Sequence, residues 1–243
     1  MATFFGYKRL TTVDDWRGLA GENKWVPRRS AYELAHAWQA AGGLPPQIRD
    51  ALDQSEHEHL KGLDVDLCLV EKPVFLDTNR APSMTDVMAY GRNAIGQRVV
   101  FAVEGKADEV FALRVCSWVR GDEPEANLSL PPRASRQRRL RFLARHLALD
   151  IGTESRLRYQ LLHRTVSAVL EAQLHGAEAA VVLIHAFGRE APENWRDFSD
   201  FIQELGGAAP VNGKVSGPYA TGENRDVPTY FLWWQQPAAF GRG

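Results

Sequence analysis

Apolar and polar positions along this chain recur with two different periods, and the switch between them marks its elements. From Ser30 to about Ala41, the residues Leu34, Ala35, Trp38 and Ala41 fall three or four apart, the stripe of an amphipathic helix. Ser30 and Glu33 have the spacing of a capping box at its start, and Gly42, Gly43, Pro45 and Pro46 stop it. A short amphipathic helix is expected over Gln47–Asp53. Val65–Leu69 and Val74–Leu76 read as strands, with Pro73 between them marking a bend or an edge. Asp86–Tyr90 and Arg98–Lys106 flank the turn-forming residues Asn93 to Gly96, which predicts a β-hairpin. Within its second strand, Val99–Val103 is unbroken apolar sequence, the pattern of a strand buried on both faces.

Beyond the hairpin, Phe111–Val119 is short and mixed, and Gly121–Arg133 is a polar, proline-rich loop. Ala134–Leu149 predicts an amphipathic helix with Leu140, Leu143 and Leu147 as its core stripe. Arg156–Leu174 predicts a long helix whose apolar residues spread around most of its circumference, so it should be largely buried. Ala179–Ala186 is a wholly apolar strand, Asn194–Leu205 a helix ended by Gly206 and Gly207, Ala208–Val227 a glycine-rich loop, and Pro228–Trp234 an aromatic last strand. Residues 1–29 read as an irregular lead-in or short helices and 237–243 as a loose tail, leaving 30–236 as one domain. The order of elements predicts an α/β domain with a mixed central β-sheet flanked by helices.

Composition narrows the class further. The 243 residues, 44% hydrophobic, suit one sizeable globular domain. A net charge of −1 supplies no overall attraction to nucleic acid, so any such attraction must come from a local patch. Two cysteines, Cys68 and Cys116, with no signal-peptide pattern at the N-terminus, point to a reducing cytoplasm. No apolar run approaches membrane-spanning length, so no membrane association is expected.

The candidate chemistry lies where the buried strand of the hairpin turns ionic. Glu104 and Lys106 share a face of that strand, one glycine between them. If the turn centres on residue 95, Asp86 lies opposite Glu104, with Cβ atoms roughly 5 Å apart. Two carboxylates that close repel unless a cation sits between them or one takes up a proton. Mg²⁺ suits all-oxygen ligands, typically taking one or two carboxylates and keeping waters, and Lys106 beside it could hold or deprotonate a water.

This Asp…Glu-x-Lys arrangement resembles the PD-(D/E)XK nuclease superfamily, with Thr85 standing where that motif often has proline. The strings PSMTDVMAYG, VVFAVEGKADE and LRYQLLHRTVSAVLEA also resemble an uncharacterised bacterial family placed in that superfamily, over about Ser30 to Phe187. The resemblance implies a restriction-endonuclease-like core and a Mg²⁺- or Mn²⁺-dependent nuclease cleaving phosphodiester bonds, with DNA the expected substrate. It implies Asp86 and Glu104 as metal ligands and Lys106 as the water-polarising group. The alternative is an inactive copy of the fold that binds nucleic acid or a protein partner, or pairs as a homodimer.

Several further residues stand near this reading. Gln160, Arg164, Ser167 and Glu171 align in one narrow polar stripe on the long, otherwise apolar helix. They either face the site or its substrate phosphate, or form a structural network such as an Arg164–Glu171 link. Arg138, Arg141 and Arg145 share one face of the preceding helix, the densest positive patch and the candidate phosphate-backbone contact. Glu33 is the partner in the capping box, and alternatively an extra acid for the site. Asp64, Asp66 and Glu71 lie near the first strand without rank. His57 and His59 lack the companions of a metal-hydrolase pair, and His185 reads as a core histidine. Phosphate-binding loops, a Gly-x-Ser-x-Gly elbow, His-Glu-x-x-His and Cys-x-x-Cys pairs are all missing from the sequence.

Overall fold

In the computed structural model, which describes residues 1–21, 25–77, 81–122, 131–188 and 192–237, a single eight-stranded sheet runs through the chain. The elements in order are β1 (Thr3–Phe5), β2 (Arg9–Leu10), α1 (Asp14–Ala20), α2 (Ser30–Ala41), α3 (Pro46–Asp53), β3 (Asp64–Val74), β4 (Ser83–Arg92), β5 (Arg98–Lys106), α4 (Val115–Arg120), α5 (Arg133–Leu147), α6 (Tyr159–His175), β6 (Ala179–Phe187), α7 (Pro192–Glu204), β7 (Val215–Thr221) and β8 (Val227–Gln236). The strands lie in the order β2-β1-β3-β4-β5-β6-β8-β7. β3, β4 and β5 form an antiparallel meander, β5, β6 and β8 run parallel, and β1 joins β3 in parallel. The architecture is therefore a mixed α/β sheet flanked by helices. Among the described residues no helix is long and apolar enough to cross a membrane.

Alternation along the central strands divides the apolar residues between the two faces. Val99, Phe101 and Val103 of β5 join Leu34, Ala35 and Trp38 of α2 in one core; Val100 and Ala102 join Leu161, Leu162 and Val166 of α6 in the other. That two-sided burial is why Val99–Val103 has no polar residue. The wholly buried β6 follows the same rule.

Several boundaries differ from the sequence reading, each for a local reason. The two expected strands around Pro73 are one continuous strand, β3. Pro73 is exposed next to its end, and the ladder to β4 continues past it through Val74 and Ser83. Residues 1–29, expected to be an irregular lead-in or short helices, carry the short helix α1 and also the strands β1 and β2, and Phe4 of β1 is buried against Trp16 of α1. The glycine-rich stretch after residue 208 contains β7, a largely half-buried edge strand that tolerates Gly217 and Pro218 because one side needs no pairing. The mixed segment Phe111–Val119 contributes the short helix α4. Residues 123–130 of the expected loop and 238–243 of the expected tail lie outside the described residues.

Candidate functional site

The hairpin forms in the register that its turn implies. Asn93 Oδ1 accepts the N–H groups of Ile95 and Gln97, Gly96 takes the left-handed conformation at φ 82°, and Arg92 pairs with Arg98. Counting down the ladder, Val87 faces Val103. This brings Asp86 level with Glu104 at the end of the pairing, where the Gly105 N–H donates to Asp86 Oδ2 at 2.8 Å. Gly105 itself is dictated by α2: a Cβ there would stand 2.5 Å from Leu34 Cδ1 and 3.0 Å from Ser30 Cβ. Replacing Gly105 with Ala should cost about 1–3 kcal/mol by overpacking and displace Glu104 and Lys106 together. Urea denaturation would detect the loss; stability within error of wild type would mean that α2 yields freely.

From the neighbouring helix, α6 aims two polar residues at the same point. Glu104 Oε1 accepts from Lys106 Nζ at 2.8 Å and from Gln160 Nε2 at 2.6 Å. Its Oε2 accepts from Arg164 Nε at 2.9 Å and Nη2 at 2.5 Å. The same Nη2 lies 3.5 Å from Asp86 Oδ1. Lys106 also reaches Gln160 Oε1 at 3.2 Å and stands 4.9 Å over the Phe111 ring. The polar stripe of α6 thus divides rather than joining end to end. Gln160 and Arg164 serve this cluster, while Glu171 accepts from the Tyr90 hydroxyl at 2.5 Å and pairs with Lys72 at 3.6 Å.

A third acid stands in line with these. Val70 pairs with Val87 and Lys72 with Thr85, so Glu71 of β3 is level with Asp86 of β4 and Glu104 of β5. Glu71 adopts φ 51°, a left-handed conformation that costs a non-glycine residue about 1–3 kcal/mol and that concentrates at functional sites.

The electrostatics of the two hairpin acids diverge. Burial raises the Asp86 carboxyl, and Glu104 and Glu71 push it further, to about 8, against the pull of Arg164 and Lys106. Burial would raise Glu104 too, but the Lys106 and Arg164 cations and their hydrogen bonds outweigh it and hold this carboxyl down at about 2. One acid is therefore permanently ionised and saturated with donors. The other, with a side chain 25% exposed, holds a proton that a cation could displace. Among the described residues no three His, Cys, Asp or Glu side chains converge as a metal-holding group. An ion that keeps most of its waters needs only one or two carboxylates, and Asp86 has the spare capacity for it.

These residues line a cleft of roughly 550 Å³. Its far wall comes from the N-terminal region and the start of α2, including Trp16, Trp25, Arg29 and Leu34. Glu109 and Val110 close it beyond the end of β5. Sequence reasoning missed Trp16, Trp25 and Arg29, gave Glu109 at the ionic end of the strand no role, and left Glu71 unranked.

Other expected residues fall elsewhere. Arg138, Arg141 and Arg145 are exposed on α5, which contributes nothing to the cleft; Arg138 donates to Ser135 Oγ and Arg145 pairs with Glu223 at 2.9 Å. Glu33 is fully buried outside the cleft lining and accepts the Arg28 N–H at 3.0 Å. Arg29 is the cap residue and no side-chain cap bond forms, so the expected capping box is absent and Ser30 is the first residue of the helix. His185 is wholly buried and its Nδ1 accepts from Trp38 Nε1 at 3.3 Å, as expected of a core histidine.

Fold and cleft define a mixed α/β protein with a buried acid–lysine–arginine cluster at the carboxyl end of a central strand. Residues 9–238 match the family described as Domain of unknown function (DUF6946), and the chain belongs to that family. No curated protein and no solved structure matches it.

Proposed function

We propose that the protein is a Mg²⁺- or Mn²⁺-dependent phosphodiester hydrolase acting on nucleic acid, a variant of the PD-(D/E)XK type with a restriction-endonuclease-like core. The observation that carries this reading is the convergence of Asp86, Glu104 and Lys106 at the base of one cleft, in the register that the hairpin turn sets. The order α2, β3–β4–β5 meander, α6 and parallel β6 supports it at the level of fold.

The donor set fits a hard divalent ion. Asp86 is a partly exposed acid whose proton an ion would displace, and Glu104 would supply a second carboxylate by exchanging one of its hydrogen bonds for the ion. When bound, such an ion polarises a phosphoryl oxygen and acidifies water. Lys106 is held at a fixed position by Glu104 and Gln160, where its ammonium can orient a water or neutralise charge on a phosphate. Arg164 keeps Glu104 ionised and turned toward Lys106.

The expected result is cleavage that EDTA abolishes and that Asp86→Ala and Lys106→Ala each reduce by at least about a hundredfold, a barrier change of roughly 3 kcal/mol. Both variants should remain folded by circular dichroism. A second reading draws on a specific observation: Arg164 already places a cation against both carboxylates, which is what a non-catalytic binding module would retain. Failure of the wild type to cut DNA or RNA across Mg²⁺ and Mn²⁺ titrations would select that reading.

A further inference from the structure

The acid, lysine and arginine of the cleft are more deeply buried than contact with a double-helical surface requires. Glu104, Lys106 and Arg164 are only 2%, 3% and 1% exposed, so whatever they act on must enter the roughly 550 Å³ space rather than lie across it. A duplex is stiff over about 150 base pairs and keeps its bases stacked inside; enzymes that work in enclosed pockets take single strands or extrude a nucleotide first. The cationic face of α5, which would have suited a duplex backbone, contributes nothing to this cleft.

The lining offers the three contacts an unpaired nucleotide needs. Trp25 is half-buried, lines the cleft and packs edge-on against Tyr32, ring centroids 5.4 Å apart. Arg164 Nη1 is a buried donor with no hydrogen-bond partner among the described residues, suited to a phosphate oxygen. Glu109 Oε1 accepts the Ser30 N–H at 3.3 Å, but its Oε2 is a buried acceptor with no hydrogen-bond partner among the described residues, suited to a sugar hydroxyl or a base amino group. Buried polar atoms without partners are uncommon and costly, and two residues of this one cleft lining, Arg164 and Glu109, each carry one. Arg29, exposed on the same wall, adds positive charge.

We infer that this cleft takes a single unpaired nucleotide of a nucleic-acid strand, with the base against Trp25, the phosphate toward Arg164 and Lys106, and a sugar or base donor on Glu109. The inference rests on the phosphodiester reading above for its choice of ligand, and it makes single-stranded nucleic acid the substrate class.

The test compares a single-stranded 15-mer, as DNA and as RNA, with a covalently closed DNA duplex that has no ends. Binding is read by fluorescence anisotropy in EDTA, and cutting is read separately in Mg²⁺ and Mn²⁺. Single strands should bind at least about tenfold more tightly than the closed duplex. Trp25→Ala should weaken single-strand binding by roughly tenfold, and Trp25→Phe should restore most of it, because stacking needs only a π face. Glu109→Ala should also weaken it, which keeps the test informative if Trp25→Ala melts early. Equal affinity for the closed duplex, or single-strand affinity unmoved by folded Trp25→Ala or Trp25→Phe and by Glu109→Ala, overturns the inference. Metal-dependent cutting of that duplex would meanwhile leave the hydrolase reading standing. Trp25-dependent single-strand binding without metal-dependent cutting would sustain the inference and overturn the hydrolase reading instead.

Discussion

Replacing Arg164 with Ala should destabilise the protein by about 3–5 kcal/mol, a large share of the roughly 5–15 kcal/mol that holds a domain folded. The guanidinium is 1% exposed and donates twice to Glu104 while standing beside Asp86. Burial alone would make it easier to deprotonate, but the two carboxylates keep it charged. Removing it strands the ionised Glu104 with Lys106 and Gln160 alone and removes the cation nearest Asp86. Chemical denaturation should show the full loss. The double variant Glu104→Gln, Arg164→Met, which removes both charges, should recover a substantial part of it. An Arg164→Ala protein within about 1 kcal/mol of wild type would mean that water reaches this guanidinium easily, and that the fold does not depend on its pairing with Glu104.

Asp86 should make the metal-free protein less stable as pH rises. Its folded pKa is about 8, above the value near 4 expected for an unfolded Asp, so between those limits the folded state holds a proton that the unfolded state has lost. The stabilising contribution is complete below about pH 4 and is lost as pH climbs through about 8. The slope from this group approaches about 1.4 kcal/mol per pH unit at most. Glu104, held down at about 2, contributes in the opposite direction, but only below about pH 4, so the two windows separate. The neutral isostere Asp86→Asn should flatten the profile from pH 5 to 8 and be the more stable protein at pH 8. Mg²⁺ should raise wild-type stability more at pH 8 than at pH 6, because the ion competes with the proton, and should not do so in Asp86→Asn. Parallel pH profiles for wild type and Asp86→Asn would show that Asp86 is ionised throughout.

What could be read from the residues was local. Val99–Val103 declared a strand covered on both faces, and the turn at Asn93–Gly96 set the pairing that brings Asp86 level with Glu104. Hairpin register depends on a few adjacent residues, so it is legible without a structure. The stripe of Gln160, Arg164, Ser167 and Glu171 was legible for the same reason, since helical period alone puts them on one face. Its partners were not. That Arg164 meets Glu104, while Glu171 meets Tyr90 and Lys72, depends on how α6 settles on the sheet after more than fifty intervening residues.

The tertiary structure alone decided the rest of the cleft. Glu71 becomes a third acid in the row only because β3 pairs with β4 in one register, and nothing within β3 marks its left-handed backbone. Trp16, Trp25 and Arg29 become part of the lining only once β1 has joined β3 in parallel and α1 has packed beside α2. The arginines of α5 form the densest positive stripe in the sequence, yet they lie on a helix that contributes nothing to the cleft. Sequence periodicity reports which residues share a face of one element. Which faces meet is set by packing between elements far apart in the chain, and for this protein that packing determines which charges become buried together.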